Sequence, residues 1–237
     1  MRLFVDQRSC HYFEEQGYIH FENLLSEKQL LDATGAADRL VARKMPLANG
    51  LKPRSPDDVM TCGIGIAGED DVMGRLVRSR HLAEVVYELT DERPLRLGRD
   101  VLLTGAKAPT NLYLFEKPRS LADVICYQGM AGAVLIRLRG EAGEQEADRK
   151  ISEQGIRGQT GAIPPKPGAG VFLAPTKEID FAALTADPNS IFLLIVYLTD
   201  RAVYVANDAD PTPYGDKRLG YGVGDRLREN GHPIVWR

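Results

Sequence analysis

The chain has 237 residues, long enough for one large β-rich domain or two small ones. Hydrophobic residues make up 43% of it, enough for a sizeable core and against global disorder. Lys and Arg number 30 against 33 Asp and Glu, a net charge of −3, so the balance gives no electrostatic case for nucleic acid or an anionic membrane. Cys10, Cys62 and Cys126 are far apart and odd in number, without paired metal spacing, and read as reduced thiols of a cytoplasmic protein. The opening MRLFVDQRSC lacks the apolar run of a secretory signal. The longest apolar run, 191–198, is too short to span a bilayer and reads as a buried strand. The expectation is a soluble cytoplasmic protein with no nucleic-acid or membrane partner.

In chain order, Ser9 is placed to N-cap a short helix ending at Gln16, with Gly17 in the left-handed position after it. Tyr18–Phe21 alternates as a strand. Ser26 and Gln29 have capping-box spacing, and Leu30, Thr34, Ala37 and Val41 follow at helical spacing, which predicts a helix over 27–43. Residues 45–58 are rich in Pro, Gly, Asn and Asp and read as a loop. The GIGIAG run within 62–68 reads as a glycine-punctuated strand rather than a phosphate-cradling turn, because no strand–turn–helix setting with a downstream ribose carboxylate surrounds it. Helices are expected over 70–80 and 81–89, the second with Leu82, Val85, Val86 and Leu89 on one face, and a strand over 95–103.

The stretch 111–139 organises the rest. It begins strand-like, with Leu112 and Leu114 against Tyr113 and Phe115, breaks at Lys117-Pro118, and resumes over 134–139 with Val134, Ile136 and Leu138 on one parity. The residues between read as a functional connection at a barrel rim. Residues 142–168, charged and then rich in Gly and Pro, read as a long exposed excursion. Strands follow over 171–173 and 191–198, the second suited to the centre of a sheet. From Tyr204 the chain reads as a polar tail with breakers at Pro211 and Pro213, a turn in LGYGVGD, and a hydrophobic end at Ile234-Val235-Trp236. Helices gathered first and strands after them indicate an α+β layout with a β-core.

Three segments resemble the phytanoyl-CoA dioxygenase family: the opening HYFEEQGYIHFENLLSEKQL, the run from Lys117-Pro118 to Tyr127-Gln128-Gly129, and GAGVFLAPTKEIDFAALTADPNSIFLLIVYL with its Asn189-Ser190. The resemblance implies a double-stranded β-helix, or jelly roll, with N-terminal helices packed on it. It also implies one domain over 1–237, helix-rich to 94, β-core over 95–200 and tail over 201–237. It further implies Fe(II) held by two imidazoles and a carboxylate, with 2-oxoglutarate bound through an Arg. The His-x-Asp pair of that family works because residues i and i+2 of a strand share a face.

Here Tyr127 and Gly129 stand at those two positions around Gln128, the late segment has no His, and 191–198 has no Arg. Tyr127, Gln128, Gly129, Lys117 and Asn189 are therefore expected to be positions of a vestigial site, with no metal bound. The four histidines, His11, His20, His81 and His232, all fall outside the expected barrel. His20-x-Glu22 reads as part of a packing strand. Glu116, Glu178 and Asp180 could together suit Mg²⁺ or Ca²⁺ but read as solvated charges. Cys126 reads as a small buried filler rather than a reactive thiol. Arg137 and Arg139 share an expected strand face, either holding an anion inside the barrel or lying outward and solvated.

The expected function is a non-catalytic scaffold that binds a small molecule or a protein, with no cofactor. Two alternatives stay open. One is an oxygenase with Fe(II) in an atypical site and 2-oxoglutarate; the other is a metal-independent isomerase or lyase with Tyr127 as acid or base. Tyr127 is expected to point into the barrel mouth, packed on apolar neighbours with its hydroxyl on a polar partner.

Overall fold

The computed structural model describes residues 5–44, 63–105, 115–140, 162–211 and 219–237. The expected loop 45–58, the strand-like 111–114 and most of the excursion 142–168 lie outside the described residues. Eight strands are described: β1 (Tyr18–Phe21), β2 (Leu95–Thr104), β3 (Arg119–Ser120), β4 (Tyr127–Arg139), β5 (Gly170–Leu173), β6 (Glu178–Ile179), β7 (Ile191–Tyr204) and β8 (Ile234–Trp236). Six form an antiparallel sheet in the order β1-β5-β4-β7-β2-β8, and β3 pairs with β6 in a second, two-stranded sheet. Helices α1 (Gln7–Gln16), α2 (Glu27–Lys44), α3 (Asp71–Val77) and α4 (Arg80–Thr90) precede β2, while the short α5 (Leu121–Val124) and α6 (Phe181–Ala186) sit among the strands. No helix among the described residues is long and apolar enough to cross a membrane.

The continuous apolar run of β7 has a simple cause: both of its faces are buried. Leu193, Ile195 and Tyr197 join a cluster with Phe13 of α1, Ala37 and Leu40 of α2, and Leu82, Val86 and Leu89 of α4. Phe192, Leu194, Val196 and Leu198 face the other way, into a cluster with Leu121, Ile179 and Phe181 between the two sheets. A strand with no wet face shows no alternation. β7 lies between β4 and β2, so the central position expected of it is observed.

Local signals explain the helix boundaries. The Ser26–Gln29 capping box forms, with the Ser26 N–H donating to Gln29 Oε1 at 3.0 Å and the Gln29 N–H donating to Ser26 Oγ at 3.3 Å. Gly17 closes α1 at φ 72°, as expected, but the N-cap is Asp6 and not Ser9. The Asp6 carboxylate accepts from both the backbone N–H and the hydroxyl of Ser9, at 2.8 Å each, so Ser9 occupies the third helical position.

Two expectations change. Residues 127–133, expected as a connection, are the first half of β4; register slips between Gln128 and Met130 and between Met130 and Gly132 break the alternation that would have marked them as strand. The GIGIAG run is only briefly strand-like, through a bridge from Ile64 to Val101, before a 3-10 turn at Ile66–Gly68. Its backbone meets a side chain of the chain itself: the Ala67 N–H donates to Asp100 Oδ2 at 2.8 Å.

Candidate functional site

The inner face of β2 carries Val101 and Leu103 into the cluster between the sheets, and two residues earlier on the same parity stands Arg99. A guanidinium there must be paired. Arg99 Nη1 donates to Asp210 Oδ1 at 2.9 Å, and Arg99 Nη2 lies 3.4 Å from Cys126 Sγ. The Cys126 N–H donates to the other Asp210 oxygen at 2.9 Å. The side chains of Arg99 and Asp210 are 5% and 0% exposed, so this is a buried ion pair closed by a main-chain hydrogen bond.

Tyr127, the first residue of β4, lies under that guanidinium, 5.2 Å from its ring centroid. The ring of His232 meets it edge-on at 5.3 Å. His232 Nδ1 is 3.1 Å from the carbonyl oxygens of both Leu97 and Gly98; both are acceptors, so Nδ1 carries the proton. Tyr221 stacks on Tyr204 at 6.4 Å and approaches His232 at 5.7 Å.

The tail that carries Asp210, Tyr221 and His232 is tied across this end of the barrel. Asn207 Nδ2 donates to the carbonyls of Asp123 (3.0 Å) and Ile125 (3.3 Å), the Val205 N–H donates to Cys126 O (3.0 Å), and the Tyr204 N–H donates to Asp225 O (2.9 Å). The polar tail expected from composition thus buries Asp210, Tyr221, Leu227 and His232.

The positions singled out from sequence do not converge. Tyr127 is inside at 3% exposure, whereas Gln128 before the first register slip and Gly129 within it are exposed, and Lys117 is exposed on the loop before β3. Asn189 is exposed in the turn before β7, and Tyr127 pairs with Tyr204 at the far end of that strand. That strand is 14 residues long, roughly 40 Å of extended chain. Arg137 and Arg139 do not share a face, because a register slip falls between them. Arg137 is buried with its guanidinium 5.0 Å over the Phe192 ring, and burial lowers its pKa against the opposing pull of Asp187. Arg139 turns outward to Asp38 of α2 and to the Asn189 carbonyl.

The remaining candidates are dispersed. His11 pairs with Glu15 on α1 and His81 with Glu84 on α4, while His20 meets the Tyr18 ring on β1. His232, expected outside the barrel, is instead docked at its end. β5, β4 and β7 lie between the strand carrying His20 and the strand on which His232 rests. Glu22 pairs with Lys166, Asp180 caps α6 through the Ala183 N–H, and Glu116 lies 4.0 Å from Arg119. Among the described residues, which include all four histidines, no group of three or more His, Cys, Asp or Glu could hold a metal ion. These residues do not fit a centre of two imidazoles and one carboxylate.

No protein-family profile matches the sequence, and no curated protein does. Solved structures do match. The non-heme α-ketoglutarate-dependent epimerase SnoN of nogalamycin biosynthesis aligns with a TM-score of 0.67 at 16% identity, over 98% of each chain. The non-heme α-ketoglutarate-dependent carbocyclase SnoK of the same biosynthesis aligns with a TM-score of 0.65 at 15% identity, over 98% of this chain and 96% of its own. EctD from S. alaskensis aligns with a TM-score of 0.54 at 16% identity, over 84% of this chain and 79% of its own. The chain has the double-stranded β-helix fold of the α-ketoglutarate-dependent enzymes. At this identity the likeness concerns the fold.

Of the residues that make up the barrel end, sequence reasoning reached Tyr127 and Cys126 and missed Arg99, Asp210 and His232. Arg99 had a readable signal, a charge on the apolar parity of a strand with Val101 and Leu103. Asp210 had none, since its partner is 111 residues away.

Proposed function

We propose that this protein is a non-catalytic relative of the iron- and 2-oxoglutarate-dependent oxygenases, using their barrel as a binding scaffold. The observation that carries the reading is the content of the barrel end. Where an oxygenase needs convergent imidazoles and a carboxylate with open coordination positions, this chain packs Tyr127 under a buried Arg99–Asp210 pair. The Asp210 carboxylate is held by a guanidinium and an amide N–H, and Gly129 has no side chain to offer. The test is direct. Purified protein dialysed against Fe(II), Co(II) or Mn(II) should retain none stoichiometrically, and supplied with Fe(II) and 2-oxoglutarate it should form no succinate. One metal per chain, competed or stabilised by 2-oxoglutarate, would overturn the reading.

A further inference from the structure

Helices α2 and α3 are joined along one part of their seam by matched charges. Arg39 Nη2 of α2 donates to Asp70 Oδ2 at 2.9 Å, where Asp70 caps α3. Arg43 Nη2 donates to Glu69 Oε2 at 2.9 Å, and Lys44 Nζ lies 3.4 Å from the other Glu69 oxygen. Further along, the seam opens into a cleft of about 270 Å³. Asp32 and Ala33 of α2 line one side, Val72, Arg75 and Leu76 of α3 the other, and Ser79, the residue before α4, shares the wall.

Asp32 and Arg75 are again opposite charges on facing helices, yet they do not meet. Among the described residues, neither side chain has an ion-pair or hydrogen-bond partner. The Ser79 hydroxyl is also uncommitted, since it makes no capping bond to α4. Between the two charges the cleft is apolar: Ala33 is buried, and Val72 and Leu76 are half-buried against the cluster beneath the helices. The adjoining ion pairs show that these helices bring opposite charges into contact where their surfaces close. Here the cleft holds them apart. A carboxylate and a guanidinium separated over an apolar floor complement a molecule that carries both charges in reverse, on a hydrocarbon body. The volume falls just below that of pockets for drug-sized ligands, about 300–1,000 Å³, and suits a molecule of amino-acid size.

We infer that the cleft between α2 and α3 is a binding site for a small zwitterion with an aliphatic body, its ammonium on Asp32 and its carboxylate on Arg75. The hydrocarbon lies on Ala33, Val72 and Leu76, and the Ser79 hydroxyl adds a polar group to the wall. The site goes beyond the scaffold reading and does not depend on it, because the cleft belongs to the helix layer and not to the barrel end.

L-Leucine and ε-aminocaproate carry the two charges at short and long spacing, and both serve as probes. Calorimetric titration of the full chain should give saturable, one-to-one binding of at least one of them, in the millimolar range or tighter. The analogues that keep a single charge, isoamylamine and isocaproate for leucine, amylamine and caproate for the longer probe, should bind about ten-fold more weakly. Asp32→Asn and Arg75→Gln should each weaken the zwitterion by a similar factor while melting with the parent, since neither charge has a partner within the fold. A clear fall in melting temperature for either variant would show that its charge is committed to the structure, and would overturn the assignment. So would absence of saturation by both zwitterions at millimolar concentration, equal binding of the singly charged analogues, or unchanged binding in either variant. Iron retention by the unaltered protein would instead sink the scaffold reading and leave this site standing.

Discussion

Tyr127 and Asp100 face opposite sides of the large sheet, and each makes a claim testable by a single substitution. Tyr127 is 3% exposed, with its ring between the Arg99 guanidinium and the His232 imidazole, so it fills space among polar rings and not only the apolar neighbours expected of it. Removing the ring should leave a cavity beneath a buried charge. Tyr127→Ala should therefore cost about 3 kcal/mol in chemical denaturation, and Tyr127→Phe, which removes one hydroxyl, about 1 kcal/mol. A Tyr127→Ala variant that unfolds at the same denaturant concentration as the parent would place the ring outside the packed interior and revive its reading as an acid or base. Asp100 is buried on the helix side of β2, where desolvation raises its pKa although the Ala67 and Ile66 N–H groups pull it down. A carboxyl with a folded pKa above its unfolded value of about 3.9 favours the folded state most fully below that value. The contribution is then lost as pH rises through the raised folded pKa. Stability measured upward from about pH 4 should carry this downward component, and Asp100→Asn, which cannot ionise, should remove it. An unchanged pH profile in Asp100→Asn would assign the dependence to another group.

At the scale of the element, β4 and α2 show what a glycine does in each setting. Gly129 lies in the register slip between Gln128 and Met130 with φ 94°, and a Cβ there would stand 3.0 Å from Ala202 Cα and 3.2 Å from Thr199 Oγ1. Positive φ and backbone proximity act together. Gly129→Ala should cost about 1–3 kcal/mol. Gly35 is a counterpart within α2, where a Cβ would meet nothing nearer than Arg39 Nη1 at 3.8 Å. There alanine restricts the unfolded chain and suits the helix, so Gly35→Ala should gain about 0.5–1 kcal/mol. Thermal melts of the two variants should move in opposite directions; a shift of the same sign in both would show that the β4 slip is not held in the left-handed region. The same slip is the reason that β4 looked like a loop from its sequence, because Gly129 and Gly132 interrupt the alternation just where the strand is irregular.

For the whole molecule, the legible parts were those governed by neighbours in sequence: the capping box at Ser26, the αL close at Gly17, the two-faced apolar run of β7, and the layout of helices before strands. The barrel end was not legible, because it is assembled from β2, the start of β4 and a tail whose composition reads as polar and loose. Arg99 and Asp210 are 111 residues apart, and His232 reaches Leu97 across 135. That assembly also bears on whether the barrel can be returned to iron binding. His232, 5.3 Å from the Tyr127 ring, could supply a second imidazole to a Tyr127→His, Gly129→Asp variant, so imidazoles are not what is lacking. The carboxylate is. Residues i and i+2 share a face only in regular strand, and the slip after Gln128 leaves Tyr127 inside while Gly129 is exposed at positive φ. An aspartate at 129 would strain the backbone against Ala202 and project away from the imidazoles. The double variant should therefore bind no Fe(II) or Co(II) at micromolar concentration by calorimetry and should be less stable than the parent. Micromolar binding that is abolished by adding His232→Ala would show that β4 can regain a regular register and that this barrel lies two substitutions from a metal centre.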